Sequence, residues 1–202
     1  MNYRMVSYKL FLCLVILSSY ISPVRSQQSN SSGNIPFLRI VQSVNDLAST
    51  PAMVTNDCIS VEQDGKFHME LRRQKLPSPT ANLKIYEGIL SKAQRDSLLS
   101  VLDDANLKGL PNSEIPRITP VNSFVKMVRV EIRRDNSLQK IGFGDWSREP
   151  SKSREGASAE EIEDQKRIEA TMLPLFGWFR RLQGDNLREV KTASTLCGVV
   201  LP

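Results

Sequence analysis

Hydrophobic and polar residues alternate clearly between residues 58 and 73, in the sequence CISVEQDGKFHMELRR. Asp64 and Gly65 in the middle of this stretch predict the turn of a β-hairpin. A two-residue turn would place apolar beside polar side chains on both faces, whereas a three-residue loop with a left-handed Gly65 pairs Val61 with Phe67. Because a slip of one residue exchanges the faces of a strand, the pattern favours the three-residue loop. The core face of the hairpin is then formed by Ile59, Val61, Phe67, Met69 and Leu71.

Further strands are predicted by the same alternation. Residues 82–90 read as a third strand, and residues 123–134 and 138–146 read as a second hairpin around a polar turn. The apolar residues between 37 and 48 recur at helical spacing but also fit a strand, so both interpretations stay open. The last stretch, residues 187–202, fits one more strand.

Two helices are predicted to begin at serines that can form capping boxes. Ser91 is followed by Gln94 and Ser158 by Glu161, so each pair can satisfy the free backbone groups of a first turn. Pro174 lies inside the second helix and predicts a kink or a break there. Alternating strands joined by hairpins, with separate helices, indicate an α+β fold. We expect a mostly antiparallel sheet of about five strands packed against two main helices.

The amino terminus carries the pattern of an export signal. Arg4 and Lys9 precede the unbroken apolar run LFLCLVIL at residues 10–17, and the residues before Gln27 suit a cleavage site. The apolar run is shorter than the roughly 20 residues that a membrane-spanning helix needs. We therefore predict that residues 1–26 are a signal peptide and that the protein is secreted or periplasmic after its removal.

Removal of this signal changes the net charge. The formal charge of +5 at pH 7 falls to +2, because Arg4, Lys9 and Arg25 are lost without any acidic residue. No basic stripe with interleaved aromatic residues compensates for that loss, so no nucleic acid is predicted as a partner.

The remaining chain is predicted to hold one domain. The polar residues 27–36 read as a disordered lead, and residues 37–202 as a single α+β domain. The charged stretch near 147–157 contains few apolar residues and predicts a mobile loop.

Two cysteines stay in the exported chain. Cys13 lies within the predicted signal, which leaves Cys58 and Cys197. An even pair in an oxidising compartment predicts a disulfide, with two separate buried thiols as the alternative. A disulfide that closes so long a loop would stabilise the fold by roughly 4 to 5 kcal/mol in the chain-entropy account.

One resemblance is carried by the stretch CISVEQDGKFHMELRR followed by KIYEGILSKAQRDSLLSVLDDANLKGL, within residues 58–110. It resembles uncharacterised secreted bacterial domains, such as those of soil acidobacteria. In these domains an Asp-Gly hairpin and a tyrosine-containing strand precede a helix that ends near Leu-x-x-Leu. The shared motifs are structural, so the resemblance implies a bacterial host and no particular activity.

The sequence contains few candidate catalytic residues. His68 is the only histidine, and Glu70 lies two residues further on, so a carboxylate-oriented general base is conceivable at this pair. The alternative is a surface histidine among exposed cross-strand ion pairs. A single histidine and two distant cysteines argue against a metal site, and no cofactor is expected. Gly142 and Gly144, in GFGDW, predict a bulge or a close backbone approach rather than a phosphate loop.

The most unusual stretch is MLPLFGWFRR, residues 172–181. Some of its apolar residues lie outside the core stripe of the predicted helix and would meet a second layer of the same domain, a protein partner in the cell envelope or a membrane surface. The predicted binding surface consists of Leu173, Phe176, Trp178, Arg180 and Arg181.

Together these features favour a non-catalytic secreted or periplasmic binding or interaction module. The alternatives are a carboxylate-dependent hydrolase that uses His68 and Glu70, or an inhibitor of an exported enzyme. Such an inhibitor would insert the loop 147–156 or the loop 111–116 into a cleft. A deep pocket lined by His68 and carboxylates would favour the hydrolase, and an exposed aromatic ridge would favour the binding module.

Overall fold

The computed structural model describes residues 36–116, 123–148, 152, 154–185, 187–191 and 197. All of these residues belong to one compact unit. The predicted signal peptide and most of the predicted lead lie outside the described residues.

Six antiparallel strands form one sheet in the order β4-β3-β2-β1-β5-β6, which confirms the α+β prediction. The strands are β1 Leu38–Asp46, β2 Met53–Val61, β3 Lys66–Lys75, β4 Asn82–Ile89, β5 Phe124–Arg134 and β6 Ser137–Ser147. The strand beyond the expected five is β1, so the helical interpretation of residues 37–48 is wrong. This segment lies between β2 and β5 at the centre of the sheet, and Leu38 and Ile40, two residues apart, are fully buried.

The first hairpin has the register that the alternation predicts. Val61 is paired with Phe67 and Ile59 with Met69. Gly65 has a φ of 88°, the left-handed conformation that a three-residue loop requires there. The pattern of side chains therefore decided the register correctly.

Three helices pack on one face of the sheet: α1 Lys92–Leu102, α2 Ala105–Lys108 and α3 Ala159–Gly184. Both predicted capping boxes are present at the starts of α1 and α3. Helix α3 continues through Pro174, so of the two predicted outcomes, a kink or a break, the break does not occur.

The core lies between the sheet and these helices. Its strand residues include Ile40, Ile59, Met69 and Val130, and its helix residues include Leu98, Met172, Leu175 and Trp178. Because side chains alternate along a strand, the residues between the core positions point to the opposite face. Cys58, His68 and Glu70 lie on that opposite face.

The carboxyl-terminal segment runs along the outer edge of β4. Glu189 forms an isolated bridge with Tyr86, and the Val190 N–H donates to the Ile85 carbonyl at 2.8 Å. Further on, Cys197 is paired with Cys58 as a disulfide, with their Cα atoms 6.1 Å apart. Residues 187–191 thus lie at the edge of the sheet, and Cys197 lies on the face that carries His68.

The other edge strand, β6, forms hydrogen bonds with the loop that contains Ser113 and with helix α3. The Gly142 N–H donates to the Ser113 carbonyl at 2.9 Å, and the Gly144 N–H donates to Gln165 Oε1 at 3.0 Å. A Cβ at Gly142 would lie 2.5 Å from the backbone nitrogen of Ile115. This glycine therefore permits the close backbone approach that the sequence suggested.

Candidate ligand-binding site

Two neighbouring strands bring a histidine and two glutamates together on the face opposite the helices. His68 of β3 is paired with Glu87 of β4, and its Nδ1 lies 2.9 Å from Glu87 Oε1. Its Nε2 lies 2.9 Å from Oε1 of Glu70, two residues along the same strand. His68 is 6% exposed and Glu70 5%, whereas the side chain of Glu87 is 45% exposed. His68 is therefore buried, and its interpretation as a surface residue is wrong.

Both ring nitrogens of His68 are occupied by carboxylate oxygens. A neutral imidazole has one N–H and can donate to one of them, whereas the doubly protonated ring donates to both. In either form neither nitrogen is left to face a substrate. The group of the cluster that reaches solvent is the carboxylate of Glu87.

A cavity of about 910 Å³ opens beside this cluster. Its walls are residues of β2, β3 and β4 on one side and the carboxyl-terminal segment on the other: Ser60, Glu62, Lys66, Phe67, His68, Glu87, Gly88, Ile89, Arg188, Glu189, Val190 and Lys191. The volume lies in the range of typical small-ligand sites. The structure thus places His68 and Glu87 at the wall of a cavity, with Glu70 behind them.

Charges of both signs surround the cavity. The acidic residues are Glu62, Glu87 and Glu189, and the basic ones are Lys66, Arg188 and Lys191. The ammonium of Lys66 lies 2.7 Å from Asp64, whose hydrogen bond raises the pKa of that exposed lysine. Arg188 and Lys191 form no ion pair with any described residue and are exposed.

The apolar part of the wall includes an unusually exposed side chain. Ile89 is 70% exposed, more than any other large hydrophobic residue of the described ranges. Gly88 beside it lies over the ring of Phe67, where an added Cβ would be 3.1 Å from a ring carbon. A side chain at position 88 would therefore push against Phe67, and the glycine keeps this wall open.

Cys197 of the disulfide lies next to the same cluster. The backbone N–H of Cys197 donates to Glu70 Oε1 at 3.0 Å. Donor atoms of His68, Glu70 and Cys197 lie within 4.8 Å of one another. We expected no metal site because the chain has a single histidine and because its cysteines are far apart in the sequence. The fold removes the second of these reasons.

The predicted binding surface on α3 is divided by the structure. Trp178 is 2% exposed and its Nε1–H donates to the Gln94 carbonyl at 3.0 Å, so it belongs to the core rather than to a contact surface. The expectation failed because α1 covers this side of α3. Leu173 is 53% exposed, and it lines a smaller cavity of about 230 Å³ together with Phe176 and Arg180.

Apart from Arg180, the charged side chains that line this smaller cavity are already paired. A carboxylate oxygen of Glu169 lies 2.7 Å from Lys126 Nζ, and its other oxygen lies 2.8 Å from an Arg154 guanidinium nitrogen. Asp57 forms an ion pair with Arg73. Burial alone raises the pKa of Glu169, but the hydrogen bonds from Lys126 and Arg154 outweigh it and lower the pKa below 4.5. Arg181 is exposed outside both cavities. This region offers a ligand fewer unpaired charges than the cavity beside His68.

Both loops predicted to insert into an enzyme, 111–116 and 147–156, are hydrogen-bonded to strand β6 through residues that the structure describes. Within residues 111–116, the Ser113 N–H donates to the Lys140 carbonyl, and the Ser113 carbonyl accepts from the Gly142 N–H of β6. In the described part of the stretch 147–157, Arg154 is 3% exposed and its Nε donates to the Gly144 carbonyl at 3.0 Å. Residues 149–151 and 153 lie outside the described residues.

No helix in the part of the chain that the structure describes combines the length and the apolar character needed to cross a membrane. Compared with models of known protein families and with curated proteins, the sequence matches none.

Proposed function

We propose that the protein is a non-catalytic secreted or periplasmic binding module whose ligand site is the cavity between β4 and the carboxyl-terminal segment. The observation that carries this proposal is the cavity of about 910 Å³ beside His68 and Glu87. Because both ring nitrogens of His68 are occupied by carboxylates, binding fits the site better than general base catalysis. The disulfide between Cys58 and Cys197 supports an oxidising compartment.

The chemistry of the wall favours a peptide as the ligand. Arg188 and Lys191 supply cationic groups and Glu62 and Glu189 anionic ones, while Ile89 supplies apolar surface. A ligand that carries both charges around an apolar portion complements such a wall. A segment of a protein in the cell envelope has this chemistry, which agrees with a protein partner.

The test is selection from a library of short peptides with free amino and carboxyl termini, using the full exported chain as bait. We expect enrichment of peptides with both charges and an apolar residue. Arg188→Glu should weaken binding of the enriched peptide by about tenfold or more. The matched control is Lys140→Glu, which reverses an exposed charge on β6, outside the cavity. Absence of any enrichment, or equal loss in both variants, would overturn the proposal.

A second candidate, the carboxylate-dependent hydrolase, is favoured by one specific observation. Glu70, His68 and Glu87 form a continuous hydrogen-bonded row that ends in the cavity. In this arrangement Glu87 would be the catalytic residue, and His68 would be a positioning residue that fixes the orientation of its carboxylate.

An assay of esters, glycosides and peptides separates the two functions. Hydrolysis by the wild-type chain that is abolished in Glu87→Gln supports the hydrolase. A His68→Gln variant should then lower kcat and shift the pH profile, because a purely structural role would leave the profile unchanged. Turnover that is equal in wild type and Glu87→Gln, or absent in both, contradicts this candidate.

A further inference from the structure

A group of residues of the types that bind metal ions lies behind the cavity wall, close to the disulfide. Cys58 and Glu70 face each other across β2 and β3, and His68 stands two residues from Glu70 on the same face. Cys58 is 1% exposed, His68 6% and Glu70 5%. Cys197 completes the group through its sulfur, within 4.8 Å of the donor atoms of His68 and Glu70.

These residues are ligands that zinc prefers. Structural zinc sites are tetrahedral and built from cysteine sulfur, histidine nitrogen and carboxylate oxygen, with Zn–S of about 2.3 Å and Zn–N of about 2.0 to 2.1 Å. Neighbouring donors of such a site lie roughly 3.5 Å apart. The donor atoms of His68, Glu70 and Cys197 lie within 4.8 Å of one another and would need to shift by about 1 Å to reach this spacing. The Cys58 sulfur is bonded to that of Cys197, and after reduction the two sulfurs would separate to the same spacing by side-chain rotation.

The surroundings of His68 have the form of a metal-binding histidine. If Nε2 is the ligand atom, the Nδ1–H donates to Glu87 at 2.9 Å. A histidine ligand usually donates its other ring N–H to a carboxylate or carbonyl, which fixes the tautomer and the ring orientation. Glu70, now 2.9 Å from Nε2, would become a ligand beside it.

The disulfide decides whether the sulfur atoms are available. A dithiol reductant converts the Cys58–Cys197 disulfide to two thiols and is itself oxidised to a disulfide, a transfer of two electrons and two protons. When zinc binds, each thiol releases its proton and the two thiolates become ligands, while His68 binds through a neutral nitrogen. The same two cysteines thus join the carboxyl-terminal segment to the sheet in either state, by a covalent bond or through an ion.

We infer that Cys58, Cys197, His68 and Glu70 form a site for Zn²⁺ when the disulfide is reduced. This inference does not rest on the proposed peptide binding, although His68 and Glu87 also line the cavity.

The test uses the full chain, reduced by a water-soluble phosphine under anaerobic conditions and titrated with Co²⁺ as a spectroscopic probe. The phosphine takes up one oxygen atom from water, and the disulfide becomes two thiols. We expect one Co²⁺ per chain, with thiolate-to-metal charge-transfer absorption and the visible bands of a four-coordinate ion. Zn²⁺ should displace the Co²⁺. The unreduced chain should show none of these bands.

Variants separate this site from binding by two thiols alone. Glu70→Gln and His68→Gln should remove the four-coordinate bands, and the positioning variant Glu87→Gln should weaken Co²⁺ binding by about 10- to 100-fold. Glu62→Gln, which changes a cavity acid outside the cluster, is the matched control and should bind as wild type does. Because Glu87 is half exposed, its variant is expected to fold even if those at the buried positions do not. The inference is overturned if the reduced chain gives no charge-transfer band, or if Glu87→Gln binds Co²⁺ as tightly as Glu62→Gln.

Discussion

The two edge strands of the sheet, β6 and β4, are covered in different ways. Side chains and backbone of Ser113, Gln165 and Arg154 bond to the outward groups of β6, so little of that edge is left for a partner. Along β4, by contrast, the described residues supply one backbone hydrogen bond, from Val190 to Ile85. Unpaired sheet edges attract other chains and are usually covered. The β6 edge is therefore largely covered by other parts of the chain, whereas β4 borders the cavity in which we propose that the ligand binds.

The largest expected effect concerns the attachment of the segment beside β4. Replacing both Cys58 and Cys197 with serine should lower the free energy of unfolding by roughly 4 to 5 kcal/mol, because the unfolded chain loses its cross-link. Urea unfolding under oxidising conditions measures the difference. Peptide binding should weaken as well, since the segment no longer closes the cavity. A double variant as stable as the wild type would show that the segment is held without the disulfide.

Each edge strand contains a glycine that other atoms approach closely, Gly142 in β6 and Gly88 in β4. Gly142→Ala should lower the free energy of unfolding by about 3 kcal/mol, because its Cβ would meet the Ile115 backbone at 2.5 Å. Gly88→Ala should cost about 1 kcal/mol, since the ring of Phe67 can move away from a contact of 3.1 Å. Urea denaturation of both variants tests the order. Equal losses, or the reverse order, would contradict the idea that the β6 edge is the more tightly closed.

Glu169 supports the β6 edge through its ion pair with Arg154, which donates to the Gly144 carbonyl. Glu169→Gln should cost about 2 kcal/mol at neutral pH, because Arg154 and Lys126 lose a charged acceptor. The pKa of Glu169 is lowered below 4.5, so its contribution is present above about pH 4.5 and is lost as the pH falls through the folded-state pKa. The difference between variant and wild type should therefore shrink in acid.

Thermal unfolding across a pH series measures this dependence. Glu163→Gln, an exposed change on the same helix, is the control and should leave stability nearly unaltered at every pH. A Glu169→Gln deficit that stays constant down to low pH would show that the ion pairs do not produce the effect.

The smallest effect on stability should come from the exposed apolar residues of the two edges. Ile89→Ser on β4 and Leu138→Ser on β6 should each change the free energy of unfolding by less than about 0.5 kcal/mol, since both side chains are exposed. Only Ile89→Ser should weaken binding of the selected peptide, measured by calorimetry. Equal binding by both variants would remove Ile89 from the site.

Local patterns in the sequence were sufficient for much of the fold. The register of the first hairpin follows from alternation around Asp64 and Gly65, and both capping boxes are read from four residues each. The strand β1 was ambiguous because its apolar residues satisfy both a helical and a strand period. Tertiary position at the centre of the sheet decided between them.

The site required information that no local pattern contains. Glu87 meets His68 only through the register of β3 with β4, across a proline-containing loop whose length does not fix that register. Alternation along β4 puts Glu87 on the same face as Ile85, but only the register with β3 brings it opposite His68. The pairing of Cys197 with Cys58 followed from the even number of cysteines in the exported chain, but the closeness of this disulfide to His68 did not. The burial of Trp178 depends on a contact with Gln94, which is distant in the sequence.

Hydrogen–deuterium exchange of the full chain, with and without the peptide most enriched from the library, tests the central claim most directly. The cavity beside β4 as the binding site predicts that bound peptide slows exchange at residues 87–89 and 188–191 and leaves residues 173–180 unchanged. Slower exchange confined to residues 173–180 would contradict it and would place the ligand on the outer side of α3.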